Sequence, residues 1–311
     1  MRSIARVLTP IAALALLAGC SPAAPAAAPA TETLTIEHAQ GTATVAADPD
    51  SVVVLDYAAL DTLAALGLSD KVSATAQATL PASLDVYADT PRVGTPQEPD
   101  LEAIAALDPD AIIISARSAD KYAELNELAP TIDLTFRSTD PVQTLTNSVG
   151  TLGDLFGVRA EADAALAEVT GLIAQTKDAV ATDTSALILL TTGGKVSAYG
   201  PGSRFGALVH DTLGVTAAAP DLQIDNHGQL VSFEFVAETN PGALLVIDRD
   251  AAIGQQGQSA QQVLDNALVH RTDAWTNGDV AYLDGASWYL VGYGLANTKA
   301  MVTDVRNALA G

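Results

Sequence analysis

The sequence predicts an α/β protein with two Rossmann-like lobes joined by a single long helix and a ligand cleft between the lobes. Three observations lead to this fold class. Short apolar runs alternate with helical patterns, a strand-free helical stretch occupies the middle of the chain, and one helix-turn-strand unit occurs in each half. Each half therefore carries the elements of one lobe.

Four short apolar runs have the composition of buried strands. They are residues 51–55, 111–114, 186–190 and 243–247. Continuous apolar strands are typical of a parallel sheet that is covered on both faces. Helical patterns follow the first two runs, from Leu60 to Leu66 before Gly67 and from Ala119 to Leu128.

The middle of the chain, from Pro141 to Ala181, contains no predicted strand. Val142 to Phe156 has one helical pattern, and Arg159 to Val180 continues for about six turns of good helix formers. A long helix at mid-chain favours a strut between two lobes over a helix packed on one sheet. The predicted parts are an amino-terminal lobe at 34–157, a linking helix at 158–181 and a carboxyl-terminal lobe at 182–311.

A repeat in spacing links the two halves. In each half a glutamate is followed seven residues later by a proline, then by an apolar strand, and an arginine stands eight residues after the proline. The two sets are Glu102, Pro109, Arg117 and Glu234, Pro241, Arg249. Ligands of open α/β sheets lie beyond the carboxyl ends of the strands. Arg117 and Arg249 are therefore expected in the cleft.

The amino terminus has the three parts of a lipoprotein signal peptide at residues 1–19. Basic residues come first, an apolar stretch too short to span a bilayer follows, and small residues precede Cys20. Cys20 is the only cysteine, which excludes a disulfide framework, and it is the predicted lipidation site. The alternative is an ordinary secretory signal with a chance cysteine. Residues 20–33 predict a Pro/Ala-rich tether, so the protein is expected outside the cytoplasm and anchored to the membrane.

The charge of the chain excludes one class of partner. Fifteen basic and 37 acidic residues give a net charge of −22, which argues against nucleic acid. The sequence also lacks a zincin motif, a GxSxG elbow and a phosphate loop at Gly193-Gly194-Lys195. No enzyme activity is predicted.

Five residues stand out as candidates for ligand binding. Beside Arg117 and Arg249, Arg204 lies in the Gly/Pro-rich segment 198–206, His227 lies in a polar loop, and Tyr289 follows a short strand. Three arginines on three loops would balance a flat aromatic trianion such as a ferric tris-catecholate. An iron held by only two catecholates has two open positions, which a histidine nitrogen and a tyrosine phenolate suit. Taken singly, each arginine is also compatible with a solvated surface charge, His227 with a loop hydrogen bond, and Tyr289 with ring packing. His38, His210 and His270 are taken as structural.

Several motifs resemble those of a known family. They are 53–57 (VVLDY), 99–104 (PDLEAI), 113–117 (IISAR), 198–206, 226–229 (NHGQ), 246–249 (VIDR), 263–266 (VLDN) and 288–290 (WYL). The chain resembles the class III solute-binding lipoproteins that bind ferric siderophores for ABC importers, and above all the petrobactin- and enterobactin-type catecholate binders. The resemblance covers nearly the whole chain from about Thr33. The chain departs from the pattern of the family at Tyr293, an added aromatic residue that is expected to offer a further stacking surface.

The resemblance implies a role for each candidate. Arg117, Arg204 and Arg249 would line the cleft, and His227 and Tyr289 would complete the coordination of the iron. Glu102 and Glu234 would dock the two lobes onto a membrane permease. The expected partners are a ferric siderophore, the permease with its ATPase, and the membrane through Cys20; a monomer with no permanent cofactor is expected.

Three other functions remain open from the sequence. A haem receptor would use His227 and Tyr289 as axial ligands. A corrinoid or simple metal-ion receptor is a second alternative, although zinc needs three or four clustered ligands. An enzyme that releases iron by reduction is a third, and turnover of the chelate with a reductant would distinguish it.

Overall fold

The computed structural model describes residues 32–76, 80–135, 140–180, 184–225 and 227–309. The chain divides into residues 1–31 and a second unit at 32–311, to which every described residue belongs. The predicted signal peptide, Cys20 and the tether up to Thr31 lie outside the described residues. None of the helices in the described ranges is both long and apolar enough to cross a membrane.

An antiparallel hairpin of β1 (Thr33–His38) and β2 (Gly41–Ala46) opens the described chain. The apolar runs did not predict it, because its residues are mostly exposed and few of them are large and apolar. The next strands form a parallel sheet in the order β4-β3-β5-β6. They are β3 (Val52–Val54), β4 (Val72–Thr75), β5 (Ala111–Ile114) and β6 (Thr131–Asp133). The runs at 51–55 and 111–114 are thus confirmed as buried parallel strands.

Three helices accompany this first sheet. They are α1 (Tyr57–Ala65), α2 (Leu101–Leu107) and α3 (Tyr122–Asn126). Asp56 caps α1 by accepting the N–H of Ala59 at 2.9 Å, and Gly67, with φ of 75°, follows its end as predicted. The predicted helix at 119–128 is shorter, because a 3₁₀ turn at Ala119–Lys121 precedes α3.

Two helices follow in the middle of the chain, α4 (Pro141–Leu155) and α5 (Arg159–Ala179). No strand occurs in 140–180, as predicted, and Gly157, with φ of 67°, separates the two helices. Leu145 and Val149 of α4 pack into the core of the second lobe, whereas Leu152 and Leu155 pack into the core of the first. One helix therefore contributes to both cores, and a single connecting helix stays a prediction.

The second sheet is mixed, in the order β10-β8-β7-β11-β12, with β9 beside β7. Its strands are β7 (Ser185–Thr192), β8 (Lys195–Tyr199), β9 (Thr216–Ala217), β10 (Gln229–Val231), β11 (Ala243–Asp248) and β12 (Val280–Leu283). β7 and β11 are parallel, as the apolar runs predicted, and β12 is parallel to β11, but β8 runs antiparallel to β7 and β10. Gly193 and Gly194, both with positive φ, make the tight turn that reverses the chain there.

The helices of the second lobe surround this sheet. They are α6 (Phe233–Thr239), α7 (Arg249–Ala252), α8 (Ala260–Leu264), α9 (Asp273–Asn277) and α10 (Leu295–Leu309). π-Helical turns occupy Ala207–Thr212 and Ala286–Val291. Alternate residues of β7 face two separate apolar clusters, with Ile188 on one face and Leu187 and Leu189 on the other. The sheet is therefore covered on both sides.

The repeat predicted from spacing is present in the structure. α2 and α6 each have seven residues, and Asp108 and Asn240 end them in the left-handed region with φ of 46° and 44°. Pro109 or Pro241 follows, and then the strand β5 or β11. The repeated unit therefore puts Arg117 just beyond the carboxyl end of β5 and Arg249 just beyond that of β11.

Candidate ligand cleft

Tyr289 is the point on which three arginines converge. Arg117 donates from Nη2 to the carbonyl of Tyr289 at 2.9 Å and from Nη1 to the carbonyl of Leu290 at 3.0 Å. Arg204 donates to the same Tyr289 carbonyl. Arg249 donates from Nε to the Tyr289 hydroxyl at 2.8 Å. The structure therefore brings together four of the five predicted ligand residues, from both lobes.

Aromatic faces support these guanidinium groups. The Cζ atoms of Arg204 and Arg249 lie 4.9 and 5.2 Å from the centre of the Tyr289 ring. Arg204 also lies 5.1 Å from the Phe205 ring, and Arg117 lies 6.0 Å from the Tyr57 ring. Cations at such distances from ring faces are attracted by the quadrupole of the ring. The rings help to hold three like charges close together.

The electrostatics of the cluster are strongly positive at its centre. Burial, and to a lesser degree Arg117, lowers the pKa of Arg204. Burial also raises the pKa of Tyr199 to about 12, so its hydroxyl stays neutral. Asp56 interacts with the charge of Arg117, and Asp250 Oδ1 lies 3.6 Å from Nη1 of Arg249. That carboxylate also accepts the hydroxyl of Thr192 and the N–H of Gly193. An anion at this place would meet guanidinium donors that the protein does not neutralise in full.

The loop that carries Arg204 needs glycine for its shape. A Cβ atom on Gly206 would lie 1.8 Å from the carbonyl oxygen of Gly200, which no other residue would tolerate. The hydroxyl of Ser203 donates to that same Gly200 carbonyl. The Tyr293 hydroxyl donates to the carbonyl of Arg204 at 2.8 Å. Tyr293 therefore holds the Arg204 backbone by its hydroxyl.

Two cavities lie beside the segment that carries Tyr289, and the first is lined by two of the clustered arginines. One of about 390 Å³ is lined by Asp56, Arg117, Arg204 and Tyr293, among others. Burial raises the pKa of Asp56, while Arg117 and two backbone N–H groups act in the opposite direction. The other, of about 490 Å³, is lined by Leu80 and Pro81 of the first lobe and by residues at the carboxyl ends of β11 and β12. Leu290 lines both cavities, so the segment 286–292 lies between them.

His227 lies apart from the cluster. Its side chain is exposed, and its backbone N–H donates to Asp225 Oδ1 at 2.7 Å. None of the contacts in the described part of the chain joins its ring to Tyr289 or to an arginine. Its neighbour Gly228 packs on the ring of Tyr199. A role for His227 in iron coordination stays a prediction.

Glu102 and Glu234 occupy equivalent places in the two lobes. Each is exposed and is the second residue of its helix, α2 or α6. The caps Asp100 and Ser232 accept backbone N–H groups in the first turns of these helices. The two carboxylates are therefore a matched pair on the surface, as a docking role requires.

Comparison with known proteins places the chain in a family. Residues 52–286 match the family model described as periplasmic binding protein. The chain is 40% identical over 287 residues to the petrobactin-binding protein YclQ of Bacillus subtilis, with 89% of each chain covered. The chain belongs to the periplasmic binding protein family. Members of this family are substrate-binding proteins.

Other relatives of this periplasmic binding protein are named for iron chelates. The ferric-anguibactin-binding protein FatB of Vibrio anguillarum is 31% identical over 309 residues, covering 94% of this chain and 93% of that one. The crystal structure of YclQ superimposes with a TM-score of 0.86, at 38% identity, over 90% of this chain and 99% of that chain. The catecholate-siderophore-binding protein VctP of Vibrio cholerae superimposes with a TM-score of 0.78, at 32% identity, over 89% and 100%. The two-lobe α/β fold is thereby confirmed.

Sequence reasoning missed several residues of this binding protein's site. Tyr57 underlies Arg117, Phe205 underlies Arg204, and Asp250 and Thr192 contact Arg249. The position of Tyr57 directly after a buried strand was the one available signal. Within the described residues no group of three or more His, Cys, Asp or Glu side chains could hold a metal ion.

Proposed function

We propose that this periplasmic binding protein captures a ferric siderophore of the catecholate type outside the cytoplasm and delivers it to an ABC permease. The observation that carries the proposal is the convergence of Arg117, Arg204 and Arg249 on Tyr289. YclQ, FatB and VctP are named for petrobactin, ferric anguibactin and a catecholate siderophore. The haem alternative has no support among these relatives.

The charge of a ferric catecholate suits this cluster. A tris-catecholate carries about three negative charges, which equals the charge of three guanidinium groups. Arg117 and Arg204 donate to neutral carbonyl groups of Tyr289 and Leu290. Hydrogen bonds to charged acceptors are stronger than those to neutral ones. Catecholate oxygens would therefore replace the carbonyl groups as acceptors, with a net gain in binding free energy.

Two side chains would complete a coordination shell that the chelate leaves open. The Tyr289 hydroxyl oxygen lies within the arginine cluster, where it accepts a hydrogen bond from Arg249 Nε, and this oxygen would be the first of the two ligands. The other ligand would be His227, whose side chain is exposed and which we expect to reach the bound chelate. The iron enters and leaves as cargo, and no permanent cofactor or catalytic step is part of the proposal.

Delivery of the chelate would depend on a membrane anchor and on a docking surface for the permease. A lipid on Cys20 and the tether would hold the monomeric protein at the membrane, because two acyl chains anchor a protein stably. Glu102 and Glu234 would dock the lobes onto arginines of the permease. Their exposure and their equivalent places in α2 and α6 support this. Iron transport, rather than catalysis, is the function.

The test is a titration with ferric bis-catecholate, ferric tris-catecholate, a ferric hydroxamate and haem. Quenching of tryptophan fluorescence would report binding, since Trp288 is adjacent in sequence to Tyr289. We expect tight binding of both catecholates and weak binding of the other two. Preferred binding of the hydroxamate, or no binding of the catecholates, would refute the assignment.

A further inference from the structure

The segment that carries Tyr289 is closed by one buried side chain, Asn297. Its Nδ2 group donates to the carbonyls of Ser287, at 2.9 Å, and of Gly292, at 2.6 Å. Its Oδ1 atom accepts the Ser287 hydroxyl at 2.7 Å. Asn297 is 4% exposed. A single amide therefore joins both ends of the π-helical turn that holds Tyr289 among the arginines.

Asn297 is in turn held by a residue of the other lobe. Asp61 in α1 accepts the backbone N–H groups of Ala296, at 2.8 Å, and of Asn297, at 3.0 Å, through the same Oδ2 atom. The Thr62 hydroxyl accepts the N–H of Leu295 at 3.2 Å. The first N–H groups of a helix have no partner within that helix. The start of α10 is therefore capped by the first lobe.

The close approach of α1 and α10 depends on Gly294. A Cβ atom there would lie 2.5 Å from Asp61 Oδ2 and 2.9 Å from the carbonyl oxygen of Ala58. Asp61 is 3% exposed, so water does not compete for its oxygen. Buried hydrogen bonds of this kind are costly to lose, because each group left without a partner stays desolvated.

We propose that Asp61 and Asn297 are positioning residues of the ligand site. Asp61 sets the position of Asn297 relative to the first lobe, and Asn297 sets that of Tyr289 relative to the three arginines. Neither residue lies among the groups that contact Arg117, Arg204 or Arg249, so both act through the segment 286–292. The inference rests on the proposed function, since it takes Tyr289 and the arginines as ligand contacts.

Four variants of the whole chain, purified in detergent, test the proposal. Asp61→Asn keeps an acceptor oxygen for Ala296 and Asn297, and we expect affinity for ferric bis-catecholate within about twofold of the unaltered protein. Asp61→Ala removes that acceptor, and we expect a loss of about tenfold or more. Asn297→Asp turns a donor into an acceptor that faces two carbonyls, and a similar loss is expected. Ser287→Ala removes one hydrogen bond only, and a smaller loss of about two- to fivefold is expected.

The matched control is Asn240→Asp. The Asn240 side chain joins the end of α6 to Asp273 at 3.0 Å, at the opposite edge of the sheet from the cleft. The change is chemically the same as in Asn297→Asp and also destabilises the fold, because two carboxylates meet. We expect a lower melting temperature but unchanged affinity. If Asn240→Asp weakened chelate binding as much as Asn297→Asp does, the positioning role would be overturned.

Two further measurements distinguish positioning from general stability. The visible charge-transfer band of the bound ferric bis-catecholate should shift in Asn297→Asp toward its position in Tyr289→Phe. Amide exchange of residues 286–292 without ligand should rise in Asn297→Asp and Asp61→Ala but not in Asn240→Asp. Unchanged exchange in folded variants would refute the inference. Failure of the unaltered protein to bind any catecholate would refute the proposed function instead, and the exchange data would still decide the positioning role.

Discussion

Tyr289→Phe separates the role of the hydroxyl from every other contact of Tyr289. The variant keeps the backbone carbonyl that accepts from Arg117 and Arg204, and it keeps the ring against which Arg204 and Arg249 lie. It removes only the oxygen that accepts from Arg249 Nε at 2.8 Å. Any change in binding therefore reports on that oxygen.

The expected magnitude differs between two chelates. The side chain of Arg249 is 32% exposed, so water replaces the lost partner and the free energy of unfolding falls by about 1 kcal/mol at most. On the proposed function, the oxygen would complete the coordination of iron in a complex with ferric bis-catecholate, and a contact to a charged group is worth about 1.5–3 kcal/mol. The dissociation constant should rise roughly 10- to 150-fold. A tris-catecholate already fills every position on the iron, so its dissociation constant should change by less than about threefold.

The assay is a parallel titration of both chelates, with the visible spectrum recorded at saturation. Tyr293→Phe is the matched control, because it removes a second tyrosine hydroxyl next to the arginine cluster, one that donates to the carbonyl of Arg204. We expect Tyr293→Phe to weaken the binding of both chelates by the same factor. An equal loss for the two chelates in Tyr289→Phe, or no loss at all, would show that the hydroxyl is not an iron ligand.

Three further predictions address the loop, the buried carboxylate and the docking pair. Gly206→Ala would put a Cβ atom 1.8 Å from the Gly200 carbonyl, so it should lower stability by about 2 kcal/mol or more in thermal unfolding. Gly171→Ala, in open space on α5, should instead raise stability by about 0.5–1 kcal/mol. Burial raises the pKa of Asp61 above that of an exposed aspartic acid, so the folded chain binds that proton more tightly than the unfolded chain. The free energy of unfolding should therefore fall as pH rises from the pKa of Asp61 in the unfolded chain to its pKa in the folded chain. In urea unfolding, Asp61→Asn should lose less free energy over the same pH range. Glu102→Ala and Glu234→Ala should leave chelate affinity unchanged and reduce iron uptake by cells; full uptake in the double variant would exclude the docking role.

Local sequence patterns predicted much of the fold. Continuous apolar runs marked β3, β5, β7 and β11, because a strand buried on both faces has little room for polar side chains. Gly67 and Gly157 marked two helix ends, since both residues have positive φ. The direction of β8 was not predicted, although Gly193-Gly194 between two apolar segments is a signal for a tight hairpin turn.

The candidate site was predicted in part. The repeat placed Arg117 and Arg249 at strand ends, and a Gly-rich segment marked Arg204. The carbonyl of Tyr289, which accepts from both Arg117 and Arg204, was not predictable, since a backbone group carries no sequence signal. Tyr293 was expected to offer a stacking surface, whereas its hydroxyl holds the Arg204 backbone.

The sequence by itself determined four buried strands, the helical middle of the chain, the two repeated units and the residue types that suit an anionic chelate. Only the tertiary structure decided which groups meet. Asp61 caps a helix that begins more than two hundred residues later in the chain, and Arg117 of one lobe donates to a carbonyl of the other. Apolar periodicity reports the burial of a local element. It does not report the partner of a buried hydrogen bond, because that partner is set by how two distant surfaces pack.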